Sequence, residues 1–285
     1  MIGRAPGKLI LVGEHVVRYG AWALAFAVDR GTVVELERVD GPTHAAADPD
    51  DPLLREAVRA ALPPTGWRVT VQSTLPIGRG MGSSASLAVA LVRAQAAADG
   101  RVDDREAEYE AAMVLERVFH GRPSGLDVCV AQRGGLLQFR MGAPPTVVQL
   151  APGPWQVVVI DTGVIGSTAA LVASVADRAA GLSVPLDALA RLADEAIVHH
   201  RDPAALGEVL SAAQVHLDAL GVGHPAVDDA IAVARSAGAL GAKLSGAGGG
   251  GVVLALVPTG GAEPVLAAAF RRGLSAFVTQ PTEAS

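Results

Sequence analysis

No segment restricts the fold of this chain more than residues 76–86, Pro76-Ile77-Gly78-Arg79-Gly80-Met81-Gly82-Ser83-Ser84-Ala85-Ser86. Glycine at every second position suits neither a helix interior nor a regular strand, so the backbone must form an irregular loop here. The residues that follow, 84–98, have helical periodicity, and Gly100 supplies a stop. A glycine-rich loop running directly into a helix offers unpaired N–H groups and the positive end of the helix dipole, an arrangement that holds phosphate. The spacing is neither G-x-x-x-x-G-K-[ST] nor G-x-G-x-x-G, so the common nucleotide-loop signatures do not apply. Ser83 and Ser84 are suited either to cap the helix or to bind a metal–phosphate group.

Three further clusters carry chemistry. In Lys8-Leu9-Ile10-Leu11-Val12-Gly13-Glu14-His15, a cation, an anion and an imidazole fall within eight residues around a β-like run. It also reads as an edge strand with a solvated lysine. In Glu116-Arg117-Val118-Phe119-His120-Gly121-Arg122-Pro123-Ser124-Gly125-Leu126-Asp127, Gly121 and Pro123 break a helix, and Ser124 with Asp127 fits a capping box. The alternative is a tight turn joining two carboxylates, one to hold Mg²⁺ and one to accept a hydroxyl proton. Mg²⁺ takes one or two protein oxygens beside phosphate oxygens, so one Glu and one Ser hydroxyl suffice. The run Lys243-Leu244-Ser245-Gly246-Ala247-Gly248-Gly249-Gly250-Gly251 holds more glycine than a hairpin turn needs, which predicts close backbone approach to a ligand or another segment. Lys8 and Lys243 are the only lysines among 23 basic residues, and both lie in these clusters. A compact ammonium and a planar guanidinium are not interchangeable. Cys129 reads as core, and His199-His200 as a solvated pair at a helix end.

Short apolar runs predict strands over 9–12, 23–28, 32–36, 67–72, 134–139, 155–160, 242–244 and 251–257. Helical periodicity covers 84–98, 104–119, 167–179, 186–200, 203–220 and 225–237, with one more helix and strand before the end. The Pro- and Gly-rich stretch 141–154 predicts a junction between domains 1–150 and 151–285. Asp48–Asp51 reads as a solvated loop. Strands mixed with helices, some paired locally, indicate an α+β fold. A net charge of −6 argues against nucleic acid as a partner. The single cysteine, the absence of a basic-then-apolar leader and the lack of a long apolar run lead to the expectation of a cytoplasmic protein away from membranes.

Together the four clusters resemble the mevalonate kinase family of the galactokinase, homoserine kinase, mevalonate kinase and phosphomevalonate kinase (GHMP) superfamily. The family's Lys-strand-Gly-Glu-His opening is similar to Lys8 through His15. Its Pro-x-Gly-x-Gly-Leu-Gly-Ser-Ser-Ala loop matches residues 76–85 with Met81 for Leu. Its Glu-Arg-Val-x-His-Gly-x-Pro-Ser-Gly-x-Asp run matches 116–127 without a gap and is the most specific part, because sister kinases differ there. Its third, Gly-rich motif matches 243–251, and residues 220–225 resemble the family just upstream.

The resemblance implies an N-terminal domain like ribosomal protein S5 and a C-terminal ferredoxin-like domain, with the site between them. It implies ATP- and Mg²⁺-dependent phosphorylation of the primary (C5) hydroxyl of mevalonate to 5-phosphomevalonate, a step in isoprenoid biosynthesis. By the same resemblance, Asp127 takes the hydroxyl proton and Lys8 stabilises charge beside it. Glu116 and Ser84 hold the metal, residues 76–86 contact ATP, and Lys8, Glu14, His15, Asp127, Thr168, Gly246 and Ala247 face the substrate. A sister kinase for another small alcohol, a non-catalytic nucleotide or metabolite sensor, and a homodimeric assembly stay open; the 116–127 run argues against a diphosphomevalonate decarboxylase. Departures exist. His15-Val16-Val17-Arg18-Tyr19-Gly20 replaces the usual His-Ala-Val-Val-Tyr-Gly. The loop between Arg38 and Pro52 is short, so adenine contacts are not carried over. Gly166 stands where animal members have a basic residue, and 161–168 is more similar to bacterial members.

Overall fold

The structure, a computed structural model, describes residues 1–45, 52–101, 104–166 and 168–282, excluding the side chains of 52, 53, 168 and 169. The expected loop at Asp48–Asp51 lies outside the described residues. Strand β1 (Ile2–Val12) pairs antiparallel with β2 (Trp22–Pro42). Two strands were expected in the β2 region, at 23–28 and 32–36. One long strand forms instead, because Gly31 pairs with Pro6 of β1 and its carbonyl accepts from Thr74 N–H at 3.0 Å. Backbone pairing on both sides thus overrides a local turn signal.

β2 also pairs with β4 (Thr65–Ser73) and β5 (Leu136–Arg140). β3 (His44–Ala45) and β6 (Thr146–Leu150) complete a six-stranded sheet of order β3-β4-β2-β5-β6, with β1 on β2. β6 falls inside the stretch expected to be a linker. Its residues pair with β5 from Leu136↔Leu150 to Arg140↔Thr146, so the flanking prolines shape a hairpin and the junction narrows to the residues after Leu150. Sequence periodicity also missed α1 (Pro52–Ala61), which seats Leu54, Ala57 and Val58 in the core. Helices α2 (Ser83–Asp99) and α3 (Arg105–His120) cover this sheet, with α3 capped by the Asp104 carboxylate accepting from Glu106 and Ala107 N–H. The short α4 (Leu126–Arg133) packs Leu126, Cys129 and Val130 against Ile10, Ala25 and Phe139.

The second half contains β7 (Trp155–Asp161), α5 (Thr168–Arg178), α6 (Ser183–His199), α7 (Pro203–Ala219), α8 (Pro225–Ser236), β8 (Gly241–Ser245), β9 (Val252–Pro258), α9 (Glu263–Arg271) and β10 (Ser275–Thr279). Its antiparallel sheet runs β10-β7-β9-β8, which numbered within this half is 4-1-3-2, the split βαβ arrangement of ferredoxin-like folds. The two sheets share one core. Leu9, Leu24 and Phe26 pack with Trp155, Val157 and Leu254, and Phe26 meets Trp155 edge to face with centroids 5.8 Å apart. Aromatic pairs of this kind add about 1 kcal/mol beyond burial, so the halves hold each other in register across the cleft. Among the described residues, no helix is long and apolar enough to cross a membrane.

Candidate active site

The glycine loop 78–82 is set by contacts that only glycine permits. Gly80 has φ +80°, and a Cβ there would lie 2.5 Å from the Ser245 carbonyl oxygen. Gly82 has φ +69°, and its Cβ would lie 2.9 Å from Lys8 Cγ. The second glycine run, between β8 and β9, therefore approaches another segment, and that segment is the first glycine loop. Gly82 is also the N-cap of α2 and brings no side-chain cap. The serines do not cap as the sequence allowed, and the first N–H groups of α2 stay open toward the loop. One expected nucleotide contact is corrected: Ser86 is fully buried, its hydroxyl donates to Ala5 O at 2.8 Å and its N–H donates to Gly82 O. The side chains of Met81 and Ala85 likewise face the core, whereas Ile77 is exposed.

A register shift in the β1–β2 pairing falls between Pro6 and Lys8. Such bulges re-aim the next side chain, and the Lys8 ammonium reaches 3.2 Å from Asp127 Oδ2 and 3.1 Å from Gly80 O. Lys8 is buried; Asp127 keeps 30% of its side chain exposed. The capping-box alternative fails here. The N-cap of α4 is Gly125 with φ +85°, Ser124 Oγ accepts only from Leu126 N–H at 3.3 Å, and the Asp127 carboxylate turns to Lys8. Facing this pair, Ser84 Oγ donates to Glu116 Oε1 at 3.0 Å and lies 3.0 Å from His120 Nε2. Burial, and next the charge of Asp127, push the Glu116 carboxyl up to about 8. Its other oxygen, Oε2, is buried without a partner.

Beyond Lys8 the chain turns sharply. His15 is the one non-glycine residue with positive φ (62°) among those described, a conformation that costs roughly 1–3 kcal/mol and needs support from its surroundings. The support is visible. His15 Nε2 lies 3.1 Å from Ala247 O, and its neighbour Glu14 forms a buried ion pair with Lys243, whose ammonium also donates to Leu244 O at 2.6 Å. Burial lowers the His15 pKa to about 4, against the opposing effect of the Ala247 carbonyl. Burial also raises the Glu14 carboxyl and lowers the Lys243 ammonium, the charge of each opposing its partner's shift.

These groups line one cavity of about 560 Å³, walled by Lys8, Glu14, His15, Glu116 and Asp127 on the β1 and α4 side, by Gly246 and Ala247, and by α5. Thr168 opens α5, and its side chain lies outside the described atoms. At Gly166 a Cβ would lie 2.4 Å from Gly248 O, so the basic side chain of animal members has no room in this backbone. The sequence signalled no role for His120 or Arg18, and it singled out Lys243 only as one of two lysines lying in the motifs. His120 could have been found, since it lies inside a quoted motif. Arg18 stood out only as a departure from the family pattern. Cys129 is buried, with its thiol pushed up to about 12 by burial, and is part of the core. The His200 imidazole bonds Ile197 O within its own helix end.

Residues 52–135 match the family model for the GHMP kinases N terminal domain, and 189–276 match GHMP kinases C terminal. The mevalonate kinase of Aeropyrum pernix is 36% identical over 98% of this chain and 93% of its own length. That of Pyrococcus horikoshii is 33% identical over 90% of this chain and 89% of its own. Among solved structures, L. major mevalonate kinase in complex with R-mevalonate superposes with a TM-score of 0.84 at 24% identity, covering 100% of this chain and 97% of that one. Streptococcus pneumoniae phosphomevalonate kinase in complex with phosphomevalonate and AMPPNP superposes at 0.83 and 16%, covering 99% and 100%. At these identities the superpositions speak for the fold, which sister kinases share; the curated relatives speak for the branch. The chain belongs to the GHMP kinase family, on its mevalonate kinase branch.

Proposed function

We propose that this chain transfers the γ-phosphoryl group of ATP to the primary hydroxyl of mevalonate, within a cleft between domains 1–150 and 151–285. The observation that carries the proposal is the Lys8 ammonium, which joins Asp127 at 3.2 Å to the glycine loop at 3.1 Å. One cation thereby touches both the candidate base and the candidate phosphate cradle. The partly exposed Asp127 accepts the hydroxyl proton, the freed oxygen attacks the γ-phosphorus, and the bond to the β-phosphate oxygen breaks to release ADP. Phosphoryl transfer needs little more than positioning and charge stabilisation. Lys8 pairs with Asp127 and faces the charge that builds on the transferring group. The open amides of Gly80 to Ser84 and the N-terminus of α2 receive the phosphate oxygens.

Glu116 and Ser84 would hold Mg²⁺. The fit is supported by the buried, partnerless Glu116 Oε2 and by a carboxyl whose burial disfavours charge until a cation arrives. Among the described residues, no three His, Cys, Asp or Glu side chains are grouped to bind a metal by themselves, which agrees with an ion that relies on nucleotide oxygens. When bound, Mg²⁺ neutralises phosphate charge. The test is incubation with ATP, Mg²⁺ and mevalonate, with ³¹P and ¹³C NMR locating the new ester. A phosphoester on C5 supports the proposal; no ester, or one on the tertiary hydroxyl, sinks it. Glu116→Gln should raise the Mg²⁺ concentration needed for half-maximal rate, and an unchanged titration would reassign the metal ligand.

A further inference from the structure

Mevalonate carries a carboxylate at the far end of a five-carbon chain from the hydroxyl that reacts, and that charge needs a partner in the cavity. The inner wall does not supply one, because Glu14, Glu116 and Asp127 are acids. The cations and imidazoles lining the same space are Lys8, Arg18, Arg122, His15 and His120. Lys8 is already held by Asp127 and the Gly80 carbonyl. Both imidazoles already have partners: His120 Nε2 lies 3.0 Å from Ser84 Oγ, and His15 Nε2 lies 3.1 Å from Ala247 O. The two arginines are left.

Of these, Arg18 is the one held in place. It sits in the 3-10 turn Val16–Tyr19, directly after the strained His15, and its Nη1 donates to the Arg122 carbonyl at 2.7 Å. That single bond fixes the guanidinium against the turn before α4 and leaves its other N–H donors open. Among the described residues no carboxylate forms an ion pair with it. The fourth acid of the cavity, Asp177 on α5, therefore does not neutralise it.

On the reading of mevalonate as the acceptor, we propose that Arg18 recognises the substrate's carboxylate at the cavity mouth, fixing the molecule so that its hydroxyl end lies at Asp127. A guanidinium suits this task because its planar fork matches a carboxylate through paired N–H donors. The acids inside and the cation at the mouth together orient a hydroxy acid in one direction only. A neutral diol or a sugar gains nothing from Arg18, so the residue selects acidic acceptors.

The experiment compares Arg18→Ala, Arg18→Lys and Arg122→Ala with the wild type on two acceptors. One is mevalonate; the other is 3-methylpentane-1,3,5-triol, in which CH₂OH replaces the carboxylate. Where the triol turns over too slowly, its inhibition constant against mevalonate is measured instead. Arg18 is exposed, so the substitution leaves the fold intact, and an unchanged thermal melt checks this. The expected result is a KM for mevalonate raised roughly tenfold in Arg18→Ala, with kcat falling less than KM rises. The KM for ATP and the constant for the triol hold, and Arg18→Lys recovers part of the loss. A mevalonate KM within twofold of wild type overturns the proposal, as does an equal change for both acceptors. An acid-selective loss in Arg122→Ala alone overturns it in favour of that neighbour. A wild-type protein inert toward mevalonate fails one step earlier, taking the functional proposal with it before any variant is made.

Discussion

Replacing Lys243 by methionine removes one partner of an ion pair that water does not reach. Its side chain is 0% exposed and that of Glu14 is 1% exposed. The lysine lies on β8 and the glutamate just beyond β1, so the pair ties the second sheet to the turn that presents His15. Breaking a buried pair on one side costs about 3–5 kcal/mol, because the remaining charge is stranded in a poor dielectric. The low end applies here, since the Glu14 carboxyl, already raised by burial, can take up a proton and so limit the loss. About 3 kcal/mol corresponds to a melting temperature roughly 6–12 °C lower in a chain of this size. The pH dependence has a definite sign. Without the lysine, the folded state holds a Glu14 proton that the unfolded chain releases near its ordinary 4.5. The stability this provides is complete below that value and is lost as pH rises through the higher folded one. The deficit of Lys243→Met should therefore narrow as the melt is repeated from pH 8 down to pH 5. Adding Glu14→Gln removes the stranded charge and should restore part of the melting temperature. A Lys243→Met protein melting within about 1 °C of wild type at every pH would refute this account of the pair.

Other consequences are simpler to measure. Asp127→Asn should lower kcat by roughly 10²–10⁴-fold, the usual value of a general base, while nucleotide binding by isothermal titration stays largely intact; retention of more than about a tenth of kcat would leave Asp127 without the role of base. Lys8→Arg should lower kcat at least about tenfold despite keeping the charge, since a guanidinium cannot occupy the point between Asp127 Oδ2 and Gly80 O; near-normal kcat would mean that any positive charge serves there. His15 has a folded pKa of about 4 against an ordinary 6.5. Its contribution is present above 6.5 and disappears as pH falls through about 4, so His15→Asn should flatten the acid loss of stability across that window, by up to roughly 3 kcal/mol; parallel pH–stability curves would count against it.

What the sequence disclosed follows from how local each signal was. The glycine loop and the 116–127 turn are short, contiguous and chemically unusual, so the candidate phosphate loop and the two candidate acids could be singled out before any coordinates. The partner of Lys8 was legible only through family resemblance, because a bulge in β1 and a turn 119 residues later must fold together to bring Asp127 within 3.2 Å. The Glu14–Lys243 pair joins residues 229 apart, a separation that no periodicity reports. Secondary structure erred where tertiary pairing decided: β2 runs through Gly31, and β6 forms among prolines, because neighbouring strands supply hydrogen bonds that local sequence does not announce. Ser86 illustrates the opposite limit. A motif assigns a residue to a loop, but only packing decides that its hydroxyl bonds Ala5 O inside the protein.

Sister kinases share this fold, so the acceptor itself is the point at which the account is most exposed. The direct measurement is ADP release by the purified protein with ATP and Mg²⁺ over mevalonate, phosphomevalonate, homoserine and galactose at equal concentrations. The account predicts rapid, mevalonate-dependent release with the other three at background, and loss of that release in Asp127→Asn. Robust turnover of another acceptor with mevalonate inert would contradict it.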